Sequence, residues 1–339
     1  MTKEQKIMLG HGSGGKLSHE LISSLFLRHF QHPALTAMTD SAVLNLPEAQ
    51  LAFTTDSYVV DPLFFPGGNI GRIAVAGTVN DLAVSGAKPM FISAAFIIEE
   101  GFPIATLEQI VTEMANEARH AGVSIVTGDT KVVGTGKCDK VFINTAGLGS
   151  FHVEFPPFPG QESVKPGDVI LISGTIGDHG MAVLSARNEL PVQSGLESDC
   201  ACLNELILEV RKASSRIKFM RDATRGGLGT ILAELCEKSK FGIEIQYETI
   251  PVRETVRGMC ELLGFDPLYV ANEGKVVIVA ESSDAQRILL ALQNHPLGKD
   301  AAIIGKVVEQ HPGFCWLKTE YGSSRIVDML AGEQLPRIC

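Results

Sequence analysis

Residues 69–89 read NIGRIAVAGTVNDLAVSGAKP, and this stretch sets the architecture expected for the chain. Its small apolar residues predict a buried helix over residues 69–85, which Gly86 and Pro89 end. An apolar run over residues 91–98 follows at once and predicts a strand. A buried helix joined directly to a buried strand is typical of a domain that layers helices on a sheet.

Similar strands and helices are expected to alternate between residues 38 and 155. Two of the strands, residues 51–55 and 123–126, would deliver Asp56 and Asp129 at or just beyond their carboxyl ends. Residues 106–109 (TLEQ) have the pattern of a capping box that opens a helix running to residue 120.

The proline-rich stretch FPPFPG at residues 155–160 interrupts this alternation and is the best candidate for a linker. A second unit follows, with a strand at 169–173, helices near 178–190, 203–213 and 228–240, and a closing strand–helix–strand set. This mixed order predicts an α+β fold in two domains. The expected segments are a glycine-rich leader with a helix (1–37), a first domain (38–155), a second domain (165–318) and a tail (319–339).

Composition limits the function. The net charge of −10, with no basic block, argues against nucleic acid as the main partner. No apolar run is long enough to span a bilayer, and residues 1–6 lead into no secretory signal. Seven cysteines, an odd number, suggest free thiols in a reducing cytoplasm. Their spacing does not predict a metal site.

The glycine-rich segment at residues 10–16 (GHGSGGK) resembles two nucleotide-binding motifs, and we reject both. A Rossmann site and a P-loop each need a longer preceding strand, and Leu17 stands where a P-loop has Ser or Thr. Glycine amides with Lys16 would nevertheless suit a flap that covers phosphates. A mobile leader explains these residues equally well.

Carboxylates give the stronger signal. Asp81 lies on a helix of small apolar residues, where a carboxylate is costly unless it is paired or bound to a cation. Four other aspartates follow predicted strands or lie in polar turns: Asp40, Asp56, Asp129 and Asp222. Such a set suits Mg²⁺ held together with nucleotide phosphates. Any one of them could instead cap a helix or shape a turn.

Asp222 illustrates the alternatives, because it could cap a helix that begins near Gly227. The start of that helix is itself a candidate anion site, with Arg221 and Arg225 nearby. Cys339, the last residue, suggests a carrier arm, because an exposed thiolate at a mobile terminus can collect a group and deliver it. An idle thiol is the alternative.

Four motifs resemble those of the aminoimidazole ribonucleotide synthetase and selenophosphate synthetase superfamily. They lie at residues 56–62 (DSYVVDP), 80–89 (NDLAVSGAKP), 128–133 (GDTKVV) and 221–227 (RDATRGG). Residues 11–16 (HGSGGK), 64–69 (FFPGGN), 272–274 (NEG) and 336–339 (PRIC) narrow the resemblance to its hydrogenase maturation branch. It runs nearly end to end and is weakest at 152–165 and 310–330.

The resemblance implies a first domain that is a mixed α/β sheet and pairs in a homodimer, a second α+β domain and a mobile tail. It implies ATP-dependent dehydration of a carbamoyl group on Cys339 to a cyanide, which iron then receives. The implied partners are a carbamoyltransferase, HypF, and an iron scaffold, HypC–HypD. Selenophosphate synthesis, another amide activation, and a non-enzymatic adaptor are the alternatives. The leader has Ser13 and no cysteine, which counts against the selenium chemistry.

The resemblance also implies residue roles. The Mg²⁺ ligands would be Asp40, Asp56, Asp81 and Asp222. The ATP contacts would be Gly14, Gly15, Lys16, Thr55, Asn80, Gly128, Asp129, Arg221, Gly226 and Gly227. The catalytic residues would be Cys339, Asp81, Glu273 as first candidate for the base, and Lys131 to orient the amide and help neutralise phosphate charge.

Overall fold

The computed structural model describes residues 6–12, 16–32, 50–187, 195–319 and 322–329. An N-terminal unit is built on a four-stranded sheet in the order β1–β6–β4–β5. Its long strands are β1 (Leu51–Tyr58), β4 (Lys88–Glu99), β5 (Ser124–Val133) and β6 (Val141–Ser150). Within this sheet β4 and β5 are parallel, whereas β6 pairs antiparallel with both β1 and β4. A short hairpin of β2 (Phe64–Phe65) and β3 (Gly68–Asn69) precedes the first long helix.

The helix predicted from residues 69–85 is α3 (Ile70–Val84), preceded in the chain by α1 (Lys16–Leu21), a π-helical turn (Ile22–Phe26) and α2 (Leu27–Phe30). The Asn69 side chain caps α3 by accepting hydrogen bonds from the amides of Gly71 and Arg72. Small residues let α3 pack closely. A Cβ at Gly71 would lie 2.4 Å from the carbonyl oxygen of Ile110, on the neighbouring helix.

That neighbouring helix, α4 (Ile104–Ala121), corrects the predicted capping box. The helix begins before Thr106, with Pro103 in the N-cap position and no side chain capping it. Pro103 presets an extended backbone and Leu107 is fully buried, so packing fixes the start rather than the Thr-x-x-Gln pattern. Gly122, with φ +69°, ends the helix as predicted.

Two strands extend beyond their predicted ends. β1 continues through Asp56 to Tyr58, and β5 continues through Asp129 to Val133. Both are edge strands, so their outer edges can carry polar residues, while pairing with β6 and β4 fixes the backbone. Asp56 and Asp129 are therefore strand residues rather than loop residues.

The two faces of this sheet differ. Helices α3 and α4 cover one face, whereas the other carries Phe53 and Ile97, which are 73% and 42% exposed. The apolar run at residues 91–98 predicted a strand buried on both faces. Within one chain, burial instead alternates along β4, so only one face of the strand is buried.

The C-terminal unit is built on a seven-stranded sheet in the order β13–β12–β9–β11–β7–β10–β8. Its strands are β7 (Val169–Ile172), β8 (Ile217–Asp222), β9 (Gly242–Gln246), β10 (Val276–Ala280), β11 (Ala302–Val308), β12 (Cys315–Lys318) and β13 (Ser324–Val327). Its helices are α5 (Asp178–Ala186), α6 (Asn204–Ala213), α7 (Gly227–Cys236), α8 (Glu254–Leu263) and α9 (Ala285–Gln293). β10 lies inside the sheet and every one of its residues is buried.

In the described part of the chain, no helix combines the length and apolar character needed to cross a membrane.

Candidate active site

Three of the predicted metal-binding carboxylates converge where the two units meet. Asp56 projects from β1, Asp81 from α3, and Asp222 from the last position of β8, which contacts α3. Burial raises the pKa of Asp222 to about 7, and the charges of Asp81 and Asp56 add to this shift. Burial and the Asp56 charge also raise the pKa of Asp81, although Thr54 Oγ1 donates a 2.8 Å hydrogen bond to its Oδ2. Like charges are thus held close together.

Tyr58 lies on the same face of β1 as Asp56 and was missed by the sequence reasoning. Its hydroxyl donates a 3.2 Å hydrogen bond to Asp56 Oδ2 and lies 3.3 Å from Thr78 Oγ1. Burial raises the pKa of Tyr58 well above its usual value, and the nearby charges of Asp56, Glu273 and Asp81 contribute. Its position two residues after Asp56 was the available signal, since alternate strand residues share a face.

Among the described residues, no three Asp, Glu, His or Cys side chains form a group that could hold a metal ion by themselves. Mg²⁺ in proteins keeps several waters and usually binds through one or two carboxylates plus substrate phosphates. The oxygen-only donor set and the raised pKa values of Asp81 and Asp222 fit a cation that arrives with a nucleotide. The fourth predicted ligand, Asp40, lies outside the described residues.

Glu273 is a buried carboxylate next to this group, with 4% of its surface exposed. Its charge acts on both Tyr58 and Cys200, which places it between the N-terminal sheet and the segment that contains Cys200. Its backbone amide donates a 3.0 Å hydrogen bond to Asp199 Oδ1. The predicted base is therefore held at the junction of the two units.

Asn80 fastens that junction. Its side-chain amide donates to the carbonyl oxygens of Ala201, at 3.1 Å, and Glu273, at 3.4 Å. Its Oδ1 accepts a 2.7 Å hydrogen bond from the amide of Leu203. The Asn80 side chain thus forms hydrogen bonds with backbone groups of the C-terminal unit. These bonds connect the two units and position the neighbouring residue Asp81.

The start of α7 lies beside Asp222. Gly226, the N-cap, and Gly227 have φ values of +76° and +60°, and a Cβ at Gly227 would lie 2.6 Å from the carbonyl oxygen of Leu268. Asp222 does not cap this helix, since it precedes the N-cap by several residues and no side chain caps it. Arg221 pairs with Glu234 on α7 and also lowers the pKa of Asp81 through its charge.

The sheet separates another set of predicted residues from this group. Thr55, Asp129 and Lys131 all lie on the uncovered face of the sheet. The strand register places them there, because it aligns Thr55 with Ala146 and Ser93, Asp129 with Ala95, and Lys131 with Ile97. Lys131 Nζ lies 3.2 Å from Asp129 Oδ1, with both side chains more than half exposed. Asp56 and Tyr58 point to the opposite, helix-covered face. The predicted pairing of Lys131 with Glu273 on one amide is therefore not present within a single chain.

The other predicted residues have structural positions or lie outside the described part. Gly128 lies where β5 meets β4, and a Cβ there would be 2.2 Å from the carbonyl oxygen of Ala94. Lys16 begins α1. Gly14, Gly15 and Cys339 fall outside the described residues.

The chain is similar to known proteins over nearly its whole length. Residues 38–151 match the family model of the AIR synthase related protein, N-terminal domain, and residues 165–318 match that of its C-terminal domain. The carbamoyl dehydratase HypE of Rhodobacter capsulatus is 49% identical, over 99% of this chain and 99% of that protein.

Two solved structures are also similar. A crystal structure of the hydrogenase maturation protein HypE in complex with ATP has a TM-score of 0.93 and 47% identity, over 98% of this chain and 99% of that one. A chain of a HypE–HypF complex has a TM-score of 0.79 and 48% identity, over 91% of this chain and 99% of that one.

Proposed function

The chain belongs to the AIR synthase related family and, within it, to the carbamoyl dehydratases called HypE, and from this membership we propose its reaction. The chain uses ATP to dehydrate a carbamoyl group carried on the sulfur of its own last residue, Cys339. The cyanide product serves the iron centre of a [NiFe]-hydrogenase. The observation that carries the proposal is the convergence of Asp56, Asp81, Asp222 and buried Glu273 where the two units meet.

The carboxamide oxygen must first be converted into a good leaving group. The carboxamide oxygen takes the terminal phosphoryl group of ATP and releases ADP. The amide nitrogen loses its two protons, the carbon–oxygen bond breaks with departure of phosphate, and a carbon–nitrogen triple bond remains on sulfur. Apart from ATP conversion to ADP and phosphate, the net change is the loss of one water.

The carboxylates form the part of the site that would face the phosphates of ATP. We assign Asp56, Asp81 and Asp222 to hold Mg²⁺, with Asp40 as a further ligand. When bound, Mg²⁺ neutralises phosphate charge and fixes the direction of transfer. Gly226 and Gly227 form the start of α7, and Arg221 lies beside them. We assign this helix start to contact phosphate oxygens.

Glu273 supplies the base. It is buried beside Tyr58 and the carboxylates, where little water competes for the proton that it removes from the nitrogen. Asn80 holds the backbone oxygen of Glu273 and thereby fixes the base relative to Asp81. The proposed nucleotide contacts also include Gly14, Gly15, Lys16, Thr55, Gly128 and Asp129. Lys131 stays the residue proposed to orient the amide and to help neutralise phosphate charge.

The partners follow from the same chemistry. A transferase must load the carbamoyl group, and the solved HypE–HypF complex supports HypF as that partner. HypC–HypD would accept the cyanide on iron. We propose a homodimer formed through the uncovered face, and a reducing cytoplasm as the compartment, since the described cysteines are all free thiols. The domain limits 38–155 and 165–318 belong to the same proposal.

Mass analysis of the C-terminal peptide tests the reaction. Incubation with HypF, a carbamoyl donor and MgATP should add one carbamoyl group to Cys339 and then remove one water. Cys339→Ala should abolish both changes and keep ATP binding, whereas Cys138→Ala, a control at a partly exposed thiol, should behave like the wild type. Dehydration that persists in Cys339→Ala would contradict the proposal.

A further inference from the structure

Three alternate residues of β1 place hydroxyl and carboxylate groups against helix α3. Thr54, Asp56 and Tyr58 share one face of the strand, since alternate strand residues point the same way. Thr54 and Tyr58 reach Asp81 and Thr78, which lie three residues apart on α3 and so on one side of the helix. Hydroxyl groups and carboxylates therefore meet between β1 and α3, and the proposed function uses only the carboxylates.

The two carboxylates are held in the same way. The Thr54 hydroxyl donates a 2.8 Å hydrogen bond to Asp81 Oδ2. The Tyr58 hydroxyl donates a 3.2 Å hydrogen bond to Asp56 Oδ2. In both pairs the hydroxyl group binds Oδ2, so Oδ1 is the oxygen that remains for a cation.

Packing fixes the Tyr58 hydroxyl in place. Tyr58 is 5% exposed, and a Cβ at Gly77 would lie 2.4 Å from its hydroxyl oxygen and 3.1 Å from Cε1 of its ring. Asp56, in contrast, is exposed, and an exposed side chain keeps its rotational freedom unless a partner holds it. A buried hydroxyl group thus holds an exposed carboxylate.

A chain of buried hydroxyl groups continues behind Tyr58. The Tyr58 hydroxyl oxygen lies 3.3 Å from Thr78 Oγ1, which is hydrogen-bonded to Thr145 Oγ1 on β6, opposite Asp56 in the strand register. Thr145 Oγ1 in turn donates a 3.3 Å hydrogen bond to the carbonyl oxygen of Ala74. Both threonines are fully buried, so the hydrogen bonds of this chain are made with its own protons.

The chain directs the Tyr58 proton to Asp56, because each hydroxyl group has one proton to donate. In one order, Thr145 donates to Ala74 and Thr78 donates to Thr145. The Tyr58 proton then goes to Asp56 rather than to Thr78, because a carboxylate is the stronger acceptor. In the other order both threonines donate towards Tyr58, and its own proton again goes to Asp56.

We propose that Tyr58 is a positioning residue of the magnesium site. Its hydroxyl group holds Oδ2 of Asp56 and leaves Oδ1 for Mg²⁺, or for Mn²⁺, which suits the same oxygen ligands. Loss of a group that orients a metal ligand typically weakens metal binding by roughly 10–100-fold. The inference rests on the proposed function, because that function makes Asp56 a magnesium ligand.

Metal binding to the full-length protein tests the proposal without turnover. Mn²⁺ is titrated in the presence of a non-hydrolysable ATP analogue, and electron paramagnetic resonance measures the free ion. Tyr58→Phe keeps the ring and removes only the hydroxyl group, so the Kd for Mn²⁺ should rise at least about tenfold. Tyr247→Phe is the matched control. It removes a hydroxyl group that contacts Arg257, and it should leave the Kd unchanged.

Thr145→Val separates positioning from general damage to the core. It removes a buried, hydrogen-bonded hydroxyl group from the same chain, so the thermal midpoint should fall. The Tyr58 hydroxyl can still donate to Asp56 in this variant. The Kd for Mn²⁺ should therefore stay at the wild-type value.

The dependence of ATP hydrolysis on Mg²⁺ gives a second readout. In Tyr58→Phe, the Mg²⁺ concentration for half-maximal hydrolysis should rise, and excess Mg²⁺ should restore the rate, because Asp56 itself is still present. A purely structural role for Tyr58 would instead lower the rate at every Mg²⁺ concentration.

An unchanged Kd for Mn²⁺ in Tyr58→Phe, or equal losses in Tyr58→Phe and Thr145→Val, would overturn the proposal. A rate that excess Mg²⁺ fails to restore, or a wild type that binds no Mn²⁺ with the nucleotide analogue, would overturn it as well. Weaker Mn²⁺ binding in Tyr58→Phe, in a protein whose wild type forms no cyanide, would count against the proposed function alone.

Discussion

Asp81 shows how one residue connects the helix that carries it to the chemistry of the site. Asp81 lies on a helix of small apolar residues, accepts a hydrogen bond from Thr54, and has a raised pKa through burial and the charge of Asp56. The pKa of Asp222 is raised further, to about 7. A fold gains nothing from holding like charges together, so this arrangement is characteristic of a site that awaits a cation.

Asp81→Asn should therefore change activity and stability in opposite directions. ATP turnover should fall by at least roughly 100-fold, because a magnesium ligand is lost. The thermal midpoint without nucleotide should stay the same or rise, because the repulsion from Asp56 is removed.

Asp61→Asn is the matched control, since Asp61 is an exposed carboxylate paired with Lys140 at 2.7 Å. It should leave MgATP hydrolysis unchanged. Near-normal hydrolysis by a folded Asp81→Asn variant would remove Asp81 from the set of ligands.

Helix α3 is the element on which the site depends. Gly71 allows contact with α4, Gly77 allows the Tyr58 hydroxyl to approach, and Asn80 and Asp81 face the junction with the C-terminal unit. A Cβ at Gly77 would lie 2.4 Å from the Tyr58 hydroxyl oxygen. The small residues thus place the helix close enough to β1 for its polar groups to reach the carboxylates.

Gly71→Ala should lower the free energy of unfolding by about 2–3 kcal/mol, because the added methyl group forces α3 and α4 apart. Gly122→Ala is the matched control. Its Cβ would meet no atom within 4 Å, and the positive φ alone should cost about 1 kcal/mol. Urea unfolding of both variants measures the difference, and a larger loss in Gly122→Ala would contradict the packing argument.

At the scale of the whole molecule, the uncovered face of the N-terminal sheet stands out. Phe53, Leu148 and Phe91 form one cross-strand row on it, and Ile97 and Phe142 contribute to another. Small and polar residues such as Ala146 and Ser93 lie between these two rows. The exposed apolar side chains make this face suited to contact with a second copy. The covered face, in contrast, packs on α3 and α4.

Phe53→Glu should convert the proposed dimer into a monomer, because each copy would place a charge on the apolar face it presents to the other. Val153→Glu adds the same charge at a residue that is 96% exposed in a loop, and it should leave the assembly unchanged. Sedimentation velocity at micromolar concentration distinguishes the two. A wild-type monomer with full activity would rule out the dimer.

The local pattern of the sequence was enough to predict much of this protein. The span of α3, the stop at Gly122, the two-unit α+β layout and the position of Asp81 on a helix of small apolar residues all depend on residues close together in the chain. Periodicity, helix ends and an isolated carboxylate are local signals, so they can be read without a structure.

Only the tertiary structure decided which side chains meet. Pairing with β6 extends β1 through Asp56 to Tyr58. The Asn80 side chain binds backbone groups of Ala201 and Glu273, and Asp199 contacts Lys275 from a distant segment. β5 continues through the polar residues 127–131 because β4 satisfies its backbone. These outcomes depend on hydrogen bonds and burial between segments far apart in sequence, and no local pattern specifies such contacts.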